Sequence, residues 1–254
     1  MRDSSSVEQV RKNINENWGS NMASFGLHEW CDTRHWEGGA VHYVPYIGSD
    51  YFTGIDDGVR LLLVGESHYE EKELAPEASR RYTLSNFGEY VDNNLDLEKD
   101  STFFKRVGKL PTLKEDASRL EVAATWRRVA FTNFLQGSVG QKAADRPDKD
   151  LWSTGELALR EIVNRLEPDA ILFISKSVWD RVGQGAWSAE TPIAAERRSR
   201  RLWLFPHGSG EALCTWVYHP SWNYESQASR IEVLSELLKK AKRNKSSASG
   251  HLST

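Results

Sequence analysis

Four short runs stand out when apolar and polar positions are marked along the chain. They are "VRLLLV" (Val59 to Val64), "VAFTNFL" (Val129 to Leu135), "AILFIS" (Ala170 to Ser175) and "CTWVY" (Cys214 to Tyr218). Each is four to seven residues of mostly β-branched, aromatic or leucine side chains without polar alternation, the pattern of strands buried on both faces. Between them the apolar spacing lengthens to the helical period. "RLEVAATWRRV" precedes the second run, and "STGELALREIVNRLEP" precedes the third. In the latter, Ser153 and Glu156 have capping-box spacing and Pro168 follows the end. "KSVWDRV" comes after the third run, and an amphipathic helix is expected over Ile231 to Lys242.

Helices alternating with buried strands predict an α/β fold, a three-layer α/β/α sandwich around a central, mainly parallel four-stranded sheet. The chain of 254 residues suits one such domain, expected over residues 16–243. The ends "RDSSS" and "NKSSASGHLST" predict a flexible N-terminal tail over 1–15 and a disordered C-terminal tail over 244–254. No run is long enough to cross a bilayer and no signal-peptide core opens the chain, so a cytoplasmic protein with no membrane partner is expected.

Two cysteines, Cys31 and Cys214, exclude a disulfide framework and are too few for an iron–sulfur cluster or a cysteine-rich zinc site. "HEWCDTRHWEGG" holds histidines and a cysteine at spacings that fit no common metal pattern, so neither metal nor cofactor is expected. Net charge is −3, yet nine positive charges fall in "RRSRR" (Arg197 to Arg201) and "KKAKRNK" (Lys239 to Lys245). Such concentration is compatible with a local phosphate-binding surface, or with a solvated loop and a basic tail. Ten tryptophans is a high count, and Trp30, Trp36, Trp187 and Trp222 fall in polar surroundings where a ring can stack on a ligand.

In parallel sheets ligands bind beyond the carboxyl ends of the strands. After the first run come Glu66, Ser67, His68 and Tyr69; the second ends at Asn133 and Gln136. After the third come Ser175, Lys176 and Ser177, and after the fourth His219, Pro220, Ser221, Trp222 and Asn223. An acid, hydroxyls, two histidines, an amide and an aromatic at one edge form a candidate site. Nucleotide-binding glycine loops, zinc-protease motifs and a serine-nucleophile elbow are absent, which excludes the commonest NTPase, dehydrogenase and hydrolase signatures.

In order, "LLLVGESHY", "AFTNFLQ", "PDAILFISKSVWDRV" and "TWVYHPSW" resemble the uracil-DNA glycosylase superfamily over roughly residues 59 to 225. The resemblance implies base flipping and metal-free hydrolysis of an N-glycosidic bond, with DNA as partner and no obligate protein partner. It implies that His219 stabilises the departing base and that Glu66, Ser67 or His68 activates water. Asn133 then reads the base edge, with Tyr69 beside it and Tyr82 or Phe87 as the stacking face. Lys176, Ser177, Ser221, Trp222 and Asn223 meet the DNA, Trp222 filling the vacated stack.

Ser67 stands where one branch of the family carries aspartate, and Ser67 and His68 replace Ala-Pro of another. An inserted element is expected around "SAETPIAAERRSRR". Among relatives that excise modified cytosine from phage DNA as a defence, extra polar groups near the pocket would suit a hydroxyl-bearing base. The favoured expectation is a monofunctional glycosylase for a modified pyrimidine, such as glucosylated hydroxymethylcytosine. The alternatives are uracil repair, a non-catalytic DNA-binding protein of the same fold, and a hydrolase of free nucleosides or nucleotides.

Overall fold

The four apolar runs form the centre of one sheet. In a computed structural model that describes residues 27–68, 76–84, 102–139, 147–182, 189–195 and 198–250, the strands are β1 (Tyr46–Ile47), β2 (Leu61–Gly65), β3 (Val129–Asn133), β4 (Ala170–Phe173), β5 (Ala189–Ala195), β6 (Arg198–His207) and β7 (Gly210–Trp216). The order across the sheet is β1-β3-β2-β4-β7-β6-β5. Strands β3, β2, β4 and β7 run parallel, and they are the four runs expected from sequence.

The sheet is nevertheless seven-stranded and mixed, which corrects the expectation of four strands. The short β1 adds antiparallel to β3, and the β5–β6 hairpin adds antiparallel to β7. That hairpin is the element expected as an insertion. At its inner strand the two faces differ: Arg200 and Leu202 are buried while Arg201 between them is exposed. The parallel strands, by contrast, are buried at every position of β2, β3 and β4, as a sheet covered on both faces requires.

The helices are α1 (Pro76–Arg80), α2 (Thr102–Lys109), α3 (Arg119–Trp126), α4 (Lys149–Leu166), α5 (Lys176–Val182) and α6 (Gln227–Gly250). A capping box does occur, but on α3: Ser118 accepts from the Glu121 amide while the Glu121 carboxylate accepts from the Ser118 amide. The expected box at Ser153 and Glu156 is not the start of α4. Pro147 leads into Asp148, whose carboxylate accepts from the Leu151 amide at 2.8 Å, so the helix is capped five residues earlier. Ser153 lies one turn inside it and donates back to the Lys149 carbonyl.

Helix α4 turns Gly155, Ala158, Leu159, Ile162, Val163 and Leu166 inward, one stripe at helical spacing. Gly155 is required there, because a β-carbon would lie 2.5 Å from the Phe134 carbonyl oxygen at the end of β3. The close approach lets α4 seat flush against the segment that carries the strand end.

The C-terminal helix was expected to stop at Lys242, with a disordered tail from residue 244. It continues to Gly250. Lys242 pairs with Asp57, and Lys245 bonds the Asp169 carboxylate at 3.0 Å and the Gly58 carbonyl at 2.7 Å. The basic run is therefore anchored to the loop before β2 and the start of β4 rather than spread over a phosphate-binding face. Its apolar side, Val233, Leu234, Leu237, Leu238 and Ala241, is buried in the core, and the helix packs on β4 and β7.

Candidate functional site

Strand register brings the proposed groups to one edge. Gly65 pairs with Asn133, Val64 with Phe173, and Phe173 with Trp216. Glu66, Asn133, Ser175 and His219 thus all leave the carboxyl ends of adjacent parallel strands. Two strand spacings, about 10 Å, separate the end of β2 from that of β7, with the end of β4 between them.

At the β2–β3 side the groups are packed together. Asn133 and His68 are both buried, and the Asn133 Nδ2 lies 3.1 Å from the His68 ring nitrogens. His68 Nε2 meets the Thr83 hydroxyl at 2.8 Å. Tyr43 and Tyr82 stand edge-on to the imidazole at 4.8 and 4.9 Å. Gly65 permits this arrangement: a β-carbon there would meet the Asn133 Oδ1 at 2.1 Å. Burial pushes the His68 pKa down to about 3, so the ring is neutral. A neutral imidazole has one donor and one acceptor nitrogen, so its tautomer and the Asn133 amide orientation set each other.

Gln136, at the end of the second run, is used structurally. Its amide oxygen accepts from the His42 and Tyr43 amides at 2.9 and 3.0 Å, and its nitrogen donates to the Asn133 carbonyl. It ties the Tyr43 segment to the strand end and so fixes one wall of the site.

Between the histidines lies the acid. Ser175 Oγ, buried at the end of β4, donates to Glu66 Oε2 at 2.6 Å. That bond fixes the carboxylate orientation and leaves Oε1 to face other groups. Ser67, next to it, is half-buried.

His219 lies in the loop after β7. Its Nδ1 accepts from the Ser221 amide at 3.3 Å, which puts the proton of the neutral ring on Nε2. Burial, and then the nearby Arg230 cation, lower its pKa to about 4. Beyond it, Trp222 and Tyr224 are exposed at 57% and 63% and stack with their planes 10° apart. Ser221 and Asn223 are exposed beside them.

Lys176 and Ser177 open α5 at the surface. Lys176 is paired with Asp180 one turn along and lies 5.7 Å over the Trp216 ring. An exposed pair of this kind is worth little, so exchange of Asp180 for a phosphate costs little. Tyr69, Phe87 and Trp187 lie outside the described residues. Of the other polar-context tryptophans, Trp36 is wholly buried under Arg165 and Trp30 packs against His28 and Phe52.

Sequence reasoning missed four groups that shape the site: Thr83, Arg106, Arg230 and Glu225. It also misplaced Arg200. Neither a phosphate-binding surface nor a solvated loop describes its place in "RRSRR": Arg200 is buried, pairs with Glu225 and lies 4.3 Å over the Trp216 ring. Among the described residues no cluster of His, Cys, Asp and Glu could hold a metal ion. Cys31 is buried with its thiol turned to the Ile47 carbonyl at 3.4 Å, and burial pushes its pKa up to about 12. No described helix is long and apolar enough to cross a membrane.

The two histidines of the site, both lowered, predict acid sensitivity. In the unfolded chain each takes up a proton near pH 6.5, whereas the folded chain resists protonation down to about 3 for His68 and about 4 for His219. Their contribution is complete above pH 6.5 and is lost as pH falls below it, by up to about 1.4 kcal/mol per unit for each ring. The melting temperature is expected to fall between pH 6.5 and 4, less steeply in His68→Gln. Identical slopes for the two proteins would contradict it.

Neither a known protein family nor any curated protein matches the sequence.

Proposed function

We propose that the protein is a monofunctional DNA glycosylase that flips a modified pyrimidine out of DNA and hydrolyses its N-glycosidic bond. The observation that carries this reading is the convergence at one sheet edge of an oriented carboxylate, Glu66, a buried amide, Asn133, and a neutral imidazole, His219, with its proton on Nε2. The fold proposed with it is the three-layer sandwich of the uracil-DNA glycosylase superfamily. From β2 the chain crosses to β3 on one side and from β3 back past β2 to β4 on the other. Right-handed crossovers in opposite directions put α3 and α4 on opposite faces.

The chemistry follows from the positions. The extruded base enters between the ends of β2 and β7, its edge toward Asn133 and Tyr82 flanking it. Glu66 takes a proton from a water whose oxygen bonds C1′. The glycosidic bond breaks with its electron pair going to the base, and the Nε2–H of His219 donates to the oxygen on which that charge collects. Trp222 stacks in the gap left in the DNA, offsetting part of the few kcal/mol that extrusion costs. Lys176 and Ser177 meet the backbone phosphates. The partly exposed Ser67 beside Glu66 supplies a polar group that favours a base bearing a hydroxyl or sugar, such as hydroxymethylcytosine or its glucosylated form in phage DNA, over plain uracil.

Abasic-site formation tests this. Purified protein is incubated without metal on DNA carrying uracil, cytosine, hydroxymethylcytosine or glucosylated hydroxymethylcytosine, and alkali then cuts abasic sites. Cutting at a hydroxymethylated base is the expected result. Cutting at uracil alone would replace the substrate, and DNA binding with no cutting at any base would replace the enzyme by a binding protein.

A further inference from the structure

The loop after β7 has a regularity that neither the strand pattern nor the proposed chemistry requires. Alternate backbone carbonyls along it are each taken by an arginine. Trp216 O accepts from Arg200 Nη1 at 2.9 Å, Tyr218 O from Arg230 Nε at 3.2 Å, Pro220 O from Arg106 Nη1, and Trp222 O from Arg230 Nη2 at 3.0 Å. The three arginines come from β6, α2 and α6, more than a hundred residues apart at the extremes. Arg200 and Arg230 are almost wholly buried. Glu225 closes the loop on itself: one carboxylate oxygen accepts from the Tyr218 amide at 3.0 Å, and the other from Arg200 and from the Ser229 hydroxyl.

Three guanidinium groups with one carboxylate leave excess positive charge beneath five residues of loop. Ordering a surface loop costs backbone entropy, and burying arginines to do it is a costly solution unless the loop must keep one shape. A loop that only connected a strand to a helix would have no such need. The side chains displayed on it are His219, with its Nδ1 on the Ser221 amide, and the Trp222–Tyr224 stack.

We propose that Arg106, Arg200 and Arg230 form a cradle that holds this loop in its working shape, with Arg230 as the positioning residue that fixes the tautomer and charge state of His219. Arg230 ties the carbonyls of Tyr218 and Trp222, which bracket the turn carrying the Ser221 amide, and so holds that amide where it bonds the His219 Nδ1. Its cation also disfavours a second positive charge on the imidazole. Among the described residues the charge that acts on that ring is Arg230, which in turn faces Arg106 from α2, Arg200 from β6 and Glu225, the last partly offsetting it. The catalytic consequence rests on the glycosylase reading; the loop shape and the state of His219 do not.

The test is nitrogen NMR of the His219 ring in the free, full-length protein, comparing wild type with Arg230→Met and Arg230→Lys. Wild type is expected to show one neutral tautomer with the proton on Nε2 and a titration well below the ordinary imidazole value. Arg230→Met is expected to mix the tautomers and move the titration up toward 6.5, with Arg230→Lys between them because it keeps the charge but reaches one carbonyl. A folded Arg230→Met with the wild-type tautomer and titration would overturn the proposal. If circular dichroism shows that Arg230→Met does not fold, Arg106→Met takes its place: freeing the Pro220 carbonyl is expected to mix the His219 tautomers, and an unchanged ring would again overturn it. Base excision, measured alongside, should lose its acid side at higher pH in Arg230→Met. Shifted NMR with no excision by wild type would retain the cradle and remove the glycosylase; excision with unshifted NMR would do the reverse.

Discussion

Replacing Arg200 with methionine is expected to lower unfolding stability by about 3–5 kcal/mol, the scale for breaking a buried ion pair by removing one partner. Arg200 and Glu225 each keep only 3% of their side-chain surface exposed. With Arg200 gone, the Glu225 carboxylate stays buried with the Tyr218 amide and the Ser229 hydroxyl as its hydrogen-bond donors among the described residues, and the Trp216 ring and carbonyl lose the guanidinium they faced. Removing both charges together, in Arg200→Met with Glu225→Leu, is expected to cost less than the sum of the two single changes. Neither member of the pair is then left without the other, although Arg230 loses the carboxylate that offset it and the Tyr218 amide and the Trp216 carbonyl lose partners. Urea unfolding of the two single variants and the double variant, read as a double-mutant cycle, measures the difference. Near-additive losses would mean that the pair contributes no coupling and that the loop is held by the other two arginines alone.

That arginine also shows where the sequence was and was not legible. The four parallel strands could be read because central strands are apolar at every position, and no tertiary knowledge is needed to see "LLLV" or "AILF". Strand β6 could not, because its inward face carries Arg200: a charged residue in an inward position breaks the apolar alternation by which a strand is recognised. Its burial depends on Glu225 and Trp216, which lie beyond the next turn. Strand β1 is two residues long and exists only through its pairing with β3.

The helix start at Asp148 was missed for a different reason. Asp-x-x-Leu and Ser-x-x-Glu are both acceptable starts, and what selects the first is that residues upstream of Ser153 also reach the core, Leu151 packing against it. At the site, residue types at strand ends were readable one by one. The contacts that orient them were not, since Thr83 beside His68, Ser175 beside Glu66 and Arg106 beneath Pro220 join segments 15 to 114 residues apart.

His219→Ala is expected to reduce the excision rate by about 10²–10³-fold with a much smaller change in KM, the loss found when one preorganised donor to a developing anion is removed. The argument is one of timing. In the proposed reaction the base oxygen carries little charge in the ground state and the Nε2–H adds little to binding; as the glycosidic bond breaks, the growing charge is what that donor would stabilise. His219→Gln keeps a side-chain N–H of similar reach and is expected to retain more rate than alanine. Wild-type activity should not acquire an acid limb from His219 until pH approaches about 4, because burial and Arg230 hold the ring neutral to that point. Single-turnover rates from pH 5 to 8 on a cleavable base decide this. An alanine variant with unchanged rate would move the donor role to another group, and Glu66→Gln in the same assay separates the two halves of the chemistry. It should remove the water-activating carboxylate while leaving the Ser175 bond, the His219 tautomer and DNA affinity in place, so a loss confined to rate is the outcome that assigns Glu66 the proton.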